Sequence, residues 1–135
     1  MSKSIIYAVN SSAQTVSVDG TINPGIVIRR FGPNLNLVGT GIQITGPGYY
    51  DIDTSFTLIP ETAGEVTITA YLDGVSIPGG TATATAAEAG DYVNLAITSV
   101  VKEGCGCCTG LKTLTFILTG LEANVVNSAI LVEKL

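Results

Sequence analysis

Apolar and polar positions alternate over much of the chain. From Tyr49 to Ile59, Tyr50, Ile52, Phe56 and Leu58 share one face, and Asp51, Asp53, Ser55 and Thr57 share the other. Successive residues of an extended chain point to opposite sides, so this pattern predicts a half-buried strand. Pro60-Glu61-Thr62-Ala63-Gly64 supplies a turn. Glu65 to Leu72 then directs Val66, Ile68, Ala70 and Leu72 inward and Thr67, Thr69 and Tyr71 outward. Asp73-Gly74 is a two-residue hairpin signal leading into Val75-Ser76-Ile77, and Pro78-Gly79-Gly80 predicts a break. Thr81 to Ala87 would mix Thr and Ala on every face of a helix. As a strand it separates them, with Thr81, Thr83 and Thr85 on one side and Ala82, Ala84 and Ala86 on the other. So small an inward face implies close approach by something bulky.

Two later segments are apolar on both faces. Asp91 to Val101 sets Val93, Leu95, Ile97 and Val101 against Tyr92, Ala96 and Val100. Val125 to Val132 sets Val125, Ala129 and Leu131 against Val126, Ile130 and Val132. A strand apolar on both faces is normally covered on both faces. With no helix to act as a cover, the second cover is expected to be another subunit. Leu111 to Thr119 is more one-sided, with Leu114, Phe116 and Leu118 opposite Thr113, Thr115 and Thr119. Ser4 to Val9, Gln14 to Val18, Gly25 to Phe31, Leu35 to Val38 and Gly41 to Thr45 complete the predicted strands. About ten short strands at this spacing, with no helical period, predict an all-β sandwich or jelly roll of two sheets, formed by residues 1–135 as a single domain.

Composition narrows the chemistry. The chain has no His, so it lacks an imidazole base and the commonest neutral ligand for Zn, Cu and Fe. Six Lys and Arg against eleven Asp and Glu give a net charge of -5, which makes nucleic acid an unfavourable partner. No apolar run approaches the ~20 residues of a membrane helix, so no membrane insertion is expected. The stretch from Ile5 to Val9 is too short for the core of a signal peptide. Synthesis in a bacterial cytoplasm with no export signal is therefore expected, and release by lysis, as of virions, is compatible with it.

Gly48-Tyr49-Tyr50-Asp51-Ile52-Asp53-Thr54-Ser55-Phe56-Thr57, Val66 to Val75, Ala89-Gly90-Asp91-Tyr92-Val93-Asn94-Leu95, Leu114-Thr115-Phe116 and Asn127-Ser128-Ala129-Ile130-Leu131-Val132 follow one another in an order and spacing that resembles the C1q/tumour-necrosis-factor-like jelly roll. The likeness is nearest to the small trimeric versions in bacteriophage structural proteins and on spore surfaces, and it covers about two-thirds of the chain. It implies a ten-stranded jelly roll, a threefold homotrimer, and an inner sheet, holding the first and last strands, packed around the axis. The chain departs from complement and cytokine relatives in having no collagen-like Gly-X-Y stalk. A non-enzymatic virion surface component, a head fibre or capsid decoration, is thus the expected function. A trimeric head binding a host-surface receptor or glycan is the alternative. On this likeness the expected trimer interface comprises Phe56, Tyr92, Ala96, Val100, Ile130 and Val132.

Other candidates have bland readings beside the functional ones. Cys105, Cys107 and Cys108 lie in one Gly-rich stretch. They read as free thiols in a loop. The alternatives are soft-metal binding, for which three thiolates lack a fourth ligand, and interchain disulfides. Asp51 and Asp53 stand about 7 Å apart on one strand face and read as a solvated edge rather than an acid/base or Ca²⁺ pair. Asp19 and Asp73 read as turn formers. Arg29 and Arg30 are the only adjacent cations. They read as a surface pair, with pairing to a neighbouring subunit's carboxylates or docking on an acidic or glycan surface as alternatives. Tyr49, Tyr50, Tyr71 and Tyr92 offer sugar-stacking rings, or packing. Gly46-Pro47-Gly48 and Gly104-Cys105-Gly106 lack the Lys and helix of a phosphate loop, and no cofactor is expected.

Overall fold

The structure is a computed structural model and describes residues 3–103 and 111–135. Its strands are β1 (Ile5–Asn10), β2 (Gln14–Val16), β3 (Ile26–Phe31), β4 (Leu35–Val38), β5 (Gly41–Ile44), β6 (Gly48–Pro60), β7 (Gly64–Leu72), β8 (Val75–Ala86), β9 (Val93–Glu103), β10 (Lys112–Thr119) and β11 (Ala123–Lys134). One sheet, called here the terminal sheet, runs β3-β1-β11-β6-β9, with the short β2 also paired to β11. The second runs β4-β5-β10-β7-β8. Every pairing is antiparallel. The two sheets face each other as a jelly-roll sandwich, with β8 against β9 on one side and β3 against β4 on the other. No helix among the described residues is long and apolar enough to cross a membrane.

The core follows from the alternation. Tyr50, Ile52, Phe56 and Leu58 of β6 point inward and are fully buried. So do Val66, Ile68 and Ala70 of β7 and Leu114, Phe116 and Leu118 of β10. Phe56 and Phe116 meet across the sandwich with ring centres 5.5 Å apart and planes inclined at 58°, a tilted arrangement that suits the aromatic quadrupoles. The Tyr50 ring is buried, and its hydroxyl donates to the carbonyls of Thr45 (2.9 Å) and Gly46 (3.0 Å), pinning the loop that enters β6. Its pKa is raised by that burial and then by the nearby charge of Glu103.

Three features of the strands bear on these expectations. The predicted break at Pro78-Gly79-Gly80 appears in the pairing: between Ser76, opposite Tyr71, and Thr81, opposite Thr69, the four residues 77–80 of β8 stand against Ala70 alone, and Gly79 has φ 78°. Strand β8 resumes beyond it on the same partner and ends at Ala86. Pro78 falls inside this unpaired step of an edge strand, where a missing N–H breaks no ladder bond. Secondly, β11 carries a bulge between Val125 and Asn127. It brings Val125 to the same inward face as Ser128, Ile130 and Val132, leaving Ala129 and Leu131 outside, whereas strict alternation grouped Val125 with those two. Thirdly, Asp51 and Asp53 lie on β6, an interior strand between β11 and β9, not at an edge. The Asp73-Gly74 turn is as expected: both residues have positive φ, 55° and 84°, as a two-residue hairpin turn of the primed type requires.

Candidate functional site

The two outer faces of the sandwich differ in chemistry. On the second sheet, Thr83, Thr67 and Thr119 form one cross-strand row, and Thr81, Thr69 and Ile117 the next. The Thr67 and Thr83 hydroxyls are 2.9 Å apart, and the Thr81 hydroxyl donates to Thr69 at 3.4 Å. That face is a threonine-rich, internally hydrogen-bonded surface suited to water, with Glu65 opposite Thr85 at its end.

The outer face of the terminal sheet is apolar with a charged band. Register fixes its rows. The first runs Val100, Asp51, Glu133, Ile5, Phe31 from β9 to β3, and the second Thr98, Asp53, Leu131, Tyr7, Arg29. The third runs Ala96, Ser55, Ala129, Val9, Ile26. Phe31 and Ile26 are each 67% exposed and Val100 54%. Ile28, the extra residue where β3 bulges against β1, is also exposed. Side chains of this kind normally go inward; here a side of the sandwich holding the first and last strands presents them to solvent.

Asp51, Asp53 and Glu133 crowd the middle of this face. The Asp51 carboxyl is raised from its ordinary value by desolvation, then by the hydrogen bond and charge of Asp53, then by the charge of Glu133. The Ile52 backbone amide opposes these effects. Lys102, on β9, places its ammonium 5.8 Å from the centre of the Tyr49 ring. Arg29 donates to the Ile28 carbonyl at 3.2 Å, and Arg30 turns away toward the second sheet to donate to the Leu35 carbonyl at 2.7 Å.

The residues singled out from sequence divide between two environments. Tyr92, Ala96 and Val100 are exposed on this outer face or at its border. Phe56, Ile130 and Val132 are not on it. All three are fully buried between the sheets, because the inward half of each alternating strand fills the chain's own core, so they leave no surface for a neighbour. The tyrosines do not gather into a sugar platform. Tyr50 is core, and Tyr71 faces outward on the second sheet. Tyr49 and Tyr92 lie at opposite ends of the β6–β9 pair, roughly 30 Å apart at the strand rise. Asp19, with φ 68°, occupies a turn as expected. Cys105, Cys107 and Cys108 lie outside the described residues. Among the described residues no group of three or more metal-ligating side chains converges.

Sequence reasoning missed Glu133, Ile5, Tyr7, Val9, Ile26 and Phe31 as members of this face. Each is unremarkable in its own segment. Only the β1–β11–β6 register sets Glu133 opposite Asp51 and Leu131 opposite Tyr7.

A second carboxylate pair, Glu61 and Glu122, flanks a shallow cleft of about 360 Å³ that also touches Thr15 and Asn124. Glu122 is raised by the charge and hydrogen bond of Glu61. A larger cleft of about 440 Å³ runs between the β7–β8 hairpin and the end of β9, lined among others by Val75, Ile77, Val100 and Lys102.

No family model matches the sequence. No curated protein matches it either. Solved structures match the fold closely at low identity. Murine APRIL aligns over 99% of this chain and 100% of its own, with a TM-score of 0.74 and 12% identity. PRD1 vertex protein P5 aligns over 98% of this chain and 96% of its own, at 0.64 and 14%. The globular domain of zebrafish complement 1qA aligns over 98% and 96%, at 0.65 and 9%. The fold is therefore the C1q/TNF-like jelly roll, shared with cytokine, complement and phage proteins.

Proposed function

We propose that this protein is a non-enzymatic, homotrimeric structural component of a bacteriophage virion surface, acting as a head fibre or capsid decoration. One observation carries the reading: the outer face of the terminal sheet carries half-buried Ile5, Tyr7, Val9 and Leu131 with exposed Val100 and Phe31, while the other outer face is rich in threonine. Hydrophobic surface of this kind is stabilised by burial against a copy of itself, and a ring-closing contact satisfies every copy equally. The fold likeness to PRD1 vertex protein P5 supports the virion role. The carboxylate pairs support a non-catalytic reading, since Asp51 and Asp53 stand on an open sheet face and Glu61 is exposed, away from the enclosed surroundings that tune a general acid.

Two measurements test this. Sedimentation equilibrium is expected to return about three times the 13.8 kDa chain mass, unchanged by reductant; a monomer overturns the assembly. Antibody raised against the chain is expected to label the outside of intact phage particles by electron microscopy. Particles that carry none of the chain overturn the virion role.

A further inference from the structure

The face proposed to meet a second copy has a problem of charge. Burying it takes Asp51, Asp53 and Glu133 out of water together, and like charges removed from solvent without a counter-ion oppose association strongly. Something must neutralise the row. Among the described residues, Lys102 sits over the Tyr49 ring, the guanidinium of Arg29 is held on its own neighbour's carbonyl, and the exposed Lys3 stands before β1, one outward step beyond Ile5. Arg29 shares a row with Asp53 but lies three strands away. At the usual strand spacing that is about 14 Å, beyond the reach of one side chain to the other.

The two halves of the face are nevertheless complementary. The β6–β11 half is acidic. The β3 border is cationic and apolar, with Arg29 beside exposed Phe31, Ile26 and Ile28. A face that is unlike at its two sides suits a head-to-tail contact, in which the border of one copy lies on the middle of the next; repeated with a rotation, such a contact closes a ring.

We infer that Arg29 of one copy sits on the Asp51, Asp53 and Glu133 row of the next, with Phe31 and Ile26 packing beside it, so that this charge pair sets the register of the ring. The inference rests on the trimer reading and adds to it the residues that choose which part of the face meets which. Arg29 suits the task because its planar guanidinium holds its charge when desolvated and bridges two carboxylate oxygens at once.

A charge swap tests the pairing. The wild type, Arg29→Glu, Asp51→Arg and the double variant Arg29→Glu/Asp51→Arg are compared by sedimentation, with circular dichroism verifying that each retains the β signature. Arg29→Glu places like charges across every contact and is expected to raise the dissociation concentration of the trimer roughly tenfold or more, whereas Asp51→Arg leaves Asp53 and Glu133 beside the new arginine and is expected to weaken it less. The double variant restores one opposite pair at each contact, with Asp53 and Glu133 still opposing the new glutamate, and is expected to recover a measurable part of the Arg29→Glu loss. Single variants that assemble as the wild type does, or a double variant no better than the worse single, overturn the pairing while leaving the trimer standing. A monomeric wild type overturns the trimer reading itself, and the pairing with it.

Discussion

Phe56 and Tyr92 were both placed at a subunit contact by sequence, and the structure separates them completely. Phe56 is fully buried against Phe116, whereas Tyr92 is 68% exposed just before β9. Both are large aromatics beside alternating strands, and an aromatic side chain is equally at home in a core or an interface. What distinguishes them is parity: Phe56 shares the inward phase of Ile52 and Leu58, and Tyr92 precedes the inward Val93. Their truncations should therefore differ in kind. Phe56→Ala removes an inter-sheet anchor and leaves a cavity, for an expected loss of about 3–5 kcal/mol in urea unfolding at fixed protein concentration. Tyr92→Ala in a variant already dissociated by Arg29→Glu should leave the unfolding free energy within about 0.5 kcal/mol. A large effect of Tyr92→Ala there would place its ring in contacts within the chain.

At the scale of the strands, β11 shows what was legible and what was not. Its two-sided apolarity was readable, as was the inward phase of β6, β7 and β9, because a period of two needs only the order of residues. The bulge between Val125 and Asn127 was not, since it depends on the partner strand: two residues stand where Leu58 and Thr57 allow one step. The same limit hid Glu133, which matters only because register sets it beside Asp51. The Pro78-Gly79-Gly80 break was readable, because Pro and Gly interrupt a ladder wherever they stand. That β8 resumes beyond it on the same partner, as an edge strand, is a property of the sheet. Two deletions separate bulge from pattern. Removing Val126 takes out the extra residue and restores plain alternation, so Ile130 and Val132 keep their inward phase; this variant is expected to fold. Removing Ala129 turns Ile130 and Val132 outward and Leu131 and Glu133 inward, a one-step slip that exchanges the faces. It is expected to be insoluble or to lack a cooperative melt. Thermal unfolding of the two purified chains checks this, and equal behaviour would contradict the assigned register.

For the whole molecule, the proposed trimer predicts that the crowded carboxylates make fold and assembly respond to acid in opposite directions. In the separate chain the Asp51 carboxyl is raised by desolvation, then by Asp53 and Glu133. A raised acid binds its proton more readily in the folded chain than in the unfolded one. Its contribution to folding is fully present below the ordinary value of 3.8 and is lost as pH rises through the raised value. Lowering the pH through that window therefore stabilises the separate chain. Assembly reverses the sign. In the proposed trimer an arginine brought onto the row favours the charged form, so the Asp51 carboxyl is expected to be lowered relative to the free chain. Its contribution to association is present above the free-chain value and lost as pH falls through the assembled one. The charged and phenolic side chains that share this face with Asp51 are Asp53, Glu133, Tyr7, Tyr49, Arg29 and Lys102. Taking the protein from pH 7 to about 4 should thus weaken the trimer in sedimentation while raising the melting temperature of the dissociated Arg29→Glu chain. Added salt at pH 7 should weaken the trimer as well, through screening of the pair. A trimer that tightens on acidification would mean that the acidic rows of neighbouring copies face one another instead of meeting Arg29.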